Sequence, residues 1–121
     1  MSKNTALGWN SLANQNFAGG NSMDGYNVAI GGGALGFTNP TNTTNGIHNS
    51  ALGGLAGLWN KTGYDLTFLG FQADICPTCS TTTIQNSTAI GANSIIRNSN
   101  NLILGGNTLS NGNNDVNVGI G

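Results

Sequence analysis

Cys76-Pro77-Thr78-Cys79 is the first place where spacing could carry chemistry. A C-x-x-C pair can be a redox dithiol, half of a zinc site, or a disulfide. A redox pair opens a helix in a βαβ setting, and no helical pattern surrounds this one. Tetrahedral zinc needs four ligands, and the chain holds one histidine and no third cysteine. Cys76 and Cys79 are therefore read as a candidate disulfide closing a loop tip, suited to an oxidising, extracellular setting. Reduced thiols are the alternative.

His48 has no acid and nucleophile beside it in sequence, so it cannot be argued as a catalytic base. The four carboxylates are Asp24, Asp65, Asp74 and Asp115, with no Glu. Calcium would want its oxygen ligands clustered. Scattered Asp beside Asn instead suits turns, where these side chains bond nearby amides. Gly31-Gly32-Gly33 lacks the lysine and the following helix of a phosphate loop and is read as a tight turn. No catalytic residue, metal site or cofactor is expected, and the chain is not read as an enzyme. Trp9, Tyr26, Phe37, Trp59, Tyr64 and Phe71 fall at or near turns. Trp9, Tyr26, Trp59 and Tyr64 are candidate ligand contacts, because exposed aromatics beside Asn and Thr can stack on sugar rings. They could also pack over coil ends or against neighbouring chains, where Tyr and Trp keep one edge wet.

What must position these side chains is a recurring phrase, Asn-x-Ala-(Ile/Leu)-Gly. It is complete at 4–8, 27–31 and 49–53, and looser copies end at Gly70, Gly91, Gly105 and Gly119. A repeat of this kind decides the architecture before any local reading and favours a scaffold or binding surface. The phrase glycines Gly8, Gly31, Gly53, Gly70, Gly91, Gly105 and Gly119 are separated by 23, 22, 17, 21, 14 and 14 residues. The shortest spacing is taken as the unit, a 14-residue coil, and the excess as loop insertions at one place: 14–24, 37–47, 60–63 and 76–85. Insertions at a fixed point emerge on one face, often the binding face.

Side chains two apart on a strand share a face. The slot holding Leu7, Ile30, Leu52, Leu69, Ile90, Leu104 and Val118 is always apolar and is expected to be the core ladder. The preceding slot (Ala6, Ala29, Ala51, Phe68, Ala89, Ile103, Asn117) is mostly small, suiting close approach of another chain or sheet. The glycine ends the strand at a turn where positive φ is expected. Leu12, Leu35, Leu58, Ile75, Ile95 and Leu109 mark a second short strand in each coil. The fold class is all-β: a parallel β-roll, or solenoid, of about seven coils with loop insertions, spanning 1–121 as a single domain. Helix formers such as Glu, Lys and Arg are nearly absent.

Composition narrows the partners. Only 6% of the 121 residues are charged, against about 25% in ordinary globular chains. Net charge is −1, so nothing points to nucleic acid. Asn, 21 in all, supplies the polarity together with Ser and Thr. No stretch approaches the ~20 apolar residues of a membrane span. The last residues, 118–121, stop on a repeat phrase, and the chain is expected to be a fragment of a longer fibrous protein.

With its Ala-Ile-Gly phrase, as at Ala29-Ile30-Gly31, and its 14-residue coil, the array resembles the head repeats of YadA-like trimeric autotransporter adhesins. It also resembles related arrays of bacterial surface proteins and phage tail fibres, and Val118-Gly119-Ile120-Gly121 is similar to the phrase at the exit of such arrays. The resemblance implies a left-handed roll, three chains around a threefold axis, and an extracellular, cell-surface or virion-fibre location. It implies cell adhesion or a fibre role, a homotrimer, and an unknown host-surface or matrix receptor, with a glycan among the options. Two positions depart from the pattern: Phe68 and Asn117 replace the small Ala. The thin roll argues for association too, since small domains bury little of their surface. The competing readings are an ice-binding solenoid, which needs one residue at one slot in nearly every coil, a glycan-binding solenoid, and a polysaccharide-active enzyme, which needs paired carboxylates.

Overall fold

A computed structural model describes residues 3–16, 24–78 and 83–106. The strands are β1 (Thr5–Leu7), β2 (Val28–Ile30), β3 (Ser50–Leu52), β4 (Tyr64–Leu69), β5 (Asp74–Ile75), β6 (Gln85–Ile90), β7 (Ile95–Ile96) and β8 (Leu102–Leu104). There is no helix among the described residues. Six strands form one parallel sheet in the order β1-β2-β3-β4-β6-β8, and β5 pairs with β7 in a second, also parallel. Parallel neighbours joined by turns rather than helices make this a β-solenoid.

Each of the six main strands carries one copy of the phrase, and the copies pair in strict register. Ala6, Ala29, Ala51, Phe68, Ala89 and Ile103 form one line of partners; Leu7, Ile30, Leu52, Leu69, Ile90 and Leu104 form the next. The seventh copy, with Val118 and Gly119, lies outside the described residues, as do Leu109, Asp115 and Asn117.

The two lines face opposite ways, and the interior is the reverse of the expected one. Ala29, Ala51, Phe68 and Ala89 are buried, whereas Leu7, Leu52, Leu69, Ile90 and Leu104 are 37% to 65% exposed and Ile30 is half-buried. The expected core ladder is thus an outer ladder in the single chain. The physical reason is the thinness of the roll. The inner face of the main sheet meets the turn wall formed by Ala34, Ala56 and Ala73 in one cluster, joined by Leu35, Leu66, Ile84 and Ile96. At Ala29, Ala51 and Ala89 small residues on both sides let two backbones approach closely, and a branched residue there would overfill the gap; Ile103, in the same slot of β8, is only partly buried against the cluster. Phe68 fits because Gly57 stands against it: a Cβ there would lie 2.7 Å from the Phe68 ring.

The phrase glycines from Gly8 to Gly91 each open a four-residue turn. The N–H of Ser11, Ala34, Ala56, Ala73 and Ser94 is donated to the carbonyl of Gly8, Gly31, Gly53, Gly70 and Gly91 in turn. The third residue has φ between 56° and 70° (Asn10, Gly33, Leu55, Gln72, Asn93), as in type II turns, where Gly and Asn are favoured. The phrase glycines have φ between 88° and 140° from Gly8 to Gly105. At Gly53 the requirement is double: φ is 140°, and an added Cβ would lie 2.6 Å from the Gly70 carbonyl oxygen.

The second strand is rarer than expected. Only Ile75 and Ile95 lie in strands, β5 and β7; Leu12, Leu35 and Leu58 lie in turns. Leu12 and Leu35 adopt φ of 52° and 49°, in the left-handed region, as turn residues.

The insertions stack on one another. Gln15 reaches the Gly46 carbonyl, Asn39 N–H is donated to Lys61, Gly46 N–H to Thr62, and the Thr62 and Thr83 hydroxyls meet at 3.3 Å. Two are also braced internally. Asn45 Oδ1 accepts the N–H of Thr41 and Asn42, and Asn60 Oδ1 accepts the N–H of Gly63 at 2.8 Å.

Candidate functional site

Three surfaces emerge from this frame. The first is the outer ladder. Leu7, Leu52, Leu69, Ile90 and Leu104 project from one sheet face, and exposed Trp9, Val28, Phe71 and Leu102 flank them. Isolated surface leucines are ordinary, but a contiguous apolar face marks an interaction site.

The second is a corner just before the phrase. Lys3, Tyr26, His48, Asp65, Asn86 and Asn100 each have φ between 47° and 62° and form an exposed rank from coil to coil. Lys3 Nζ donates to Asp24 at 2.7 Å and to the Tyr26 hydroxyl at 3.0 Å. The Tyr26 and His48 rings lie 5.9 Å apart. His48 Nδ1 meets Asp65 Oδ1 at 3.0 Å, with both side chains about half exposed. Asn86 donates to Asn100 at 2.9 Å. His48 and Asp65 have the geometry of an oriented base, but the neighbouring ring belongs to Tyr26, and no serine or cysteine in the described residues bonds to His48. The rank is a solvated electrostatic seam.

The third is a cleft at the root of the insertions, about 480 Å³ in volume, walled by Trp59, Lys61, Thr62, Thr78 and Thr83 over Ile75 and Ile84. A smaller cavity of about 240 Å³ shares Trp59, Ile75 and Pro77 and is bordered by Gln72, Asp74 and Asn93. Trp59 is held in place twice. Its N–H is donated to Asp74 Oδ2 at 3.0 Å, and its ring packs on Phe37 with centroids 5.1 Å apart. Asp74 also accepts the Ile75 N–H at 2.7 Å. Burial pushes the Asp74 carboxyl up to about 7, against the lowering effect of those amide bonds.

Of the aromatic candidates, Trp9, Tyr26 and Trp59 are exposed and Tyr64 is half-buried at the start of β4. They do not converge: only Trp59 lines the main cleft. Cys76 is buried and disulfide-bonded, while Cys79 lies outside the described residues. Among the described residues no three His, Cys, Asp or Glu side chains gather as a metal site would require. No helix there is long and apolar enough to cross a membrane.

One structural device was missed in the sequence. The asparagine that opens the phrase is an internal ladder rather than a solubilising group. Asn27 N–H is donated to Asn4 Oδ1, Asn49 N–H to Asn27 Oδ1, and Leu66 N–H to Asn49 Oδ1, at 2.8–3.1 Å. The Asn27 and Asn49 side chains are fully buried, and their amides donate to Gly46 and Gly63. Ser87 takes the same slot later and accepts the Asn101 N–H. The signal was available: these Asn recur at the phrase interval, whereas solubilising residues have no reason to.

Comparison with protein-family models, curated proteins and solved structures returns no match.

Proposed function

We propose that this chain is a structural and adhesive segment of a trimeric surface adhesin or fibre. Three copies pack through the outer ladder around a threefold axis, as left-handed rolls of about seven coils. The stacked insertions stay outside and mediate attachment to a host-surface or matrix receptor. The parent is extracellular, displayed on a cell surface or on a virion fibre, and Cys76 pairs with Cys79 in that oxidising setting. No catalysis is assigned to it.

The observation that carries this reading is the exposure of Leu7, Leu52, Leu69, Ile90 and Leu104 in register along one face. Burying a Leu or Ile side chain fully contributes about 1.5–3 kcal/mol. About half of that is still available at each of these positions, so one chain leaves roughly 5 kcal/mol unrealised on this face. The same residues were expected inside, and threefold packing would put them inside a shared core. An ice-binding surface is disfavoured by the flanking slot, which reads Thr5, Val28, Ser50, Thr67, Thr88 and Leu102 and so lacks a uniform rank.

Light scattering on the purified chain tests the reading. The expected mass is three times the 12.3 kDa of one chain. A monodisperse monomer at micromolar concentration would overturn it.

A further inference from the structure

We infer that the cleft beside Trp59 is a saccharide-binding site that prefers a sugar bearing a carboxylate. This deepens the attachment reading and rests on it, by naming where the contact is made and to what. The volume, about 480 Å³, falls within the roughly 300–1,000 Å³ typical of small-ligand clefts. Its walls join two chemistries that a sugar ring also joins. The exposed indole of Trp59, with Ile75 and Ile84 beneath, offers an apolar ledge for the C–H face of a pyranose. The hydroxyls of Thr62, Thr78 and Thr83 rim the same space and can exchange hydrogen bonds with ring hydroxyls. A purely apolar ligand would strip water from those hydroxyls without replacing it, at a cost.

Charge narrows the class. Lys61 is exposed at the rim and has no ion pair among the described residues, in contrast to Lys3, which is held by Asp24. Among the described residues no other cation lines the cleft. One ammonium suits one carboxylate; a phosphate-rich ligand would want several cations or a nest of amides.

The site is also pre-formed. Trp59 is fixed by Asp74 through its backbone and by Phe37 through its ring, so little freedom is lost on binding. The adjoining cavity, about 240 Å³, shares Trp59 and adds Gln72 and Asn93. It gives room for a second sugar unit with amide partners. None of the outer-ladder residues lines either cavity, so trimer packing and ligand contact need not compete.

The test is ligand-observed saturation-transfer NMR on the whole chain with sialyllactose and lactose as probes. The same sample is weighed by light scattering. Transfer to sialyllactose is expected to exceed transfer to lactose, with affinity about 2–5-fold higher, the worth of one exposed charge pair. Trp59→Ala is expected to abolish transfer to both sugars. Should W59A unfold by circular dichroism, W59F decides instead, keeping a weakened signal. K61Q, at an exposed position, is expected to level the two sugars without loss of fold. Absence of transfer to either sugar overturns the site, as does unchanged transfer in W59A; an unchanged preference in K61Q overturns the acidic specificity. A trimer that binds neither sugar sinks this inference alone, while a monomer that binds sialyllactose sinks the trimer alone.

Discussion

Asp74 should make the stability of this fold fall as pH rises from about 4 to 7. The carboxyl is buried in the wall behind Trp59 and has no cation to pair with in its described surroundings; it bonds the backbone amides of Trp59, Ile75 and Leu58. Desolvation dominates and raises it from 3.8 to about 7. The folded chain therefore holds this proton through a range in which the unfolded chain has released it. Because the native state binds more protons there, stability decreases with pH. The contribution is fully present below the unfolded value and is lost as pH climbs through about 7. A difference of about three pH units at 1.36 kcal/mol each gives roughly 4 kcal/mol.

The perturbation is Asp74→Asn, which removes the titration. The side-chain amide offers one acceptor oxygen where the carboxyl offers two and sets its own NH₂ against a backbone N–H, costing about 1–3 kcal/mol. D74N should be less stable than the parent near pH 5 and equal to it, or more stable, near pH 8. Urea unfolding followed by far-UV circular dichroism, at fixed chain concentration, gives both curves. Effects of pH on the rest of the molecule are common to both chains and cancel in the difference. A parent-minus-D74N difference that stays flat from pH 4.5 to 8 would refute the desolvation argument.

Asn49→Ala should cost about 2–4 kcal/mol in the same assay, since it strands the buried Leu66 N–H and the Asn49 side-chain bond to Gly63. A loss below about 0.5 kcal/mol would mean that water replaces the ladder. Gly53→Ala should cost more than about 3 kcal/mol, or prevent folding, because its Cβ meets the next coil's carbonyl at positive φ; soluble expression with a parental melting temperature would contradict it. Gln72→Asn should stabilise by about 0.5–1 kcal/mol, because Gln72 is exposed in the turn position where Asn10 and Asn93 already stand. Leu52→Asp with Leu69→Asp should break the proposed trimer into monomers that retain their β spectrum, as both side chains are exposed in the single chain; a trimer that persists by light scattering would place the interface elsewhere.

How far the fold was legible follows from what a two-residue period contains. The phrases at Gly8, Gly31, Gly53, Gly70, Gly91 and Gly105 were enough to pick out every strand of the main sheet, because only a stack returns the same phrase to the same place. They also marked where φ turns positive, since nothing but glycine suits that position beside the next coil's carbonyl. Alternation, however, states only that Ala29 and Ile30 face apart. It carries no sign, and one slip of parity exchanges inside for outside. Reading the larger residue as the inner one is sound for a thick core and fails for a roll whose two walls must nearly touch. The turns at Leu12 and Leu35 were hidden for a related reason: an apolar residue at a regular interval looks like a strand whatever its φ. The cleft was the least legible part. Trp59 stood among four aromatic candidates, but Lys61 comes from one insertion and Thr78 and Thr83 from another, and Asp74, read as one of several turn carboxylates, holds the Trp59 backbone from fifteen residues away. Such a site exists only once the insertions stack. Its parts lie wherever the coil interval drops them, so it is the period, rather than any local motif, that assembles them.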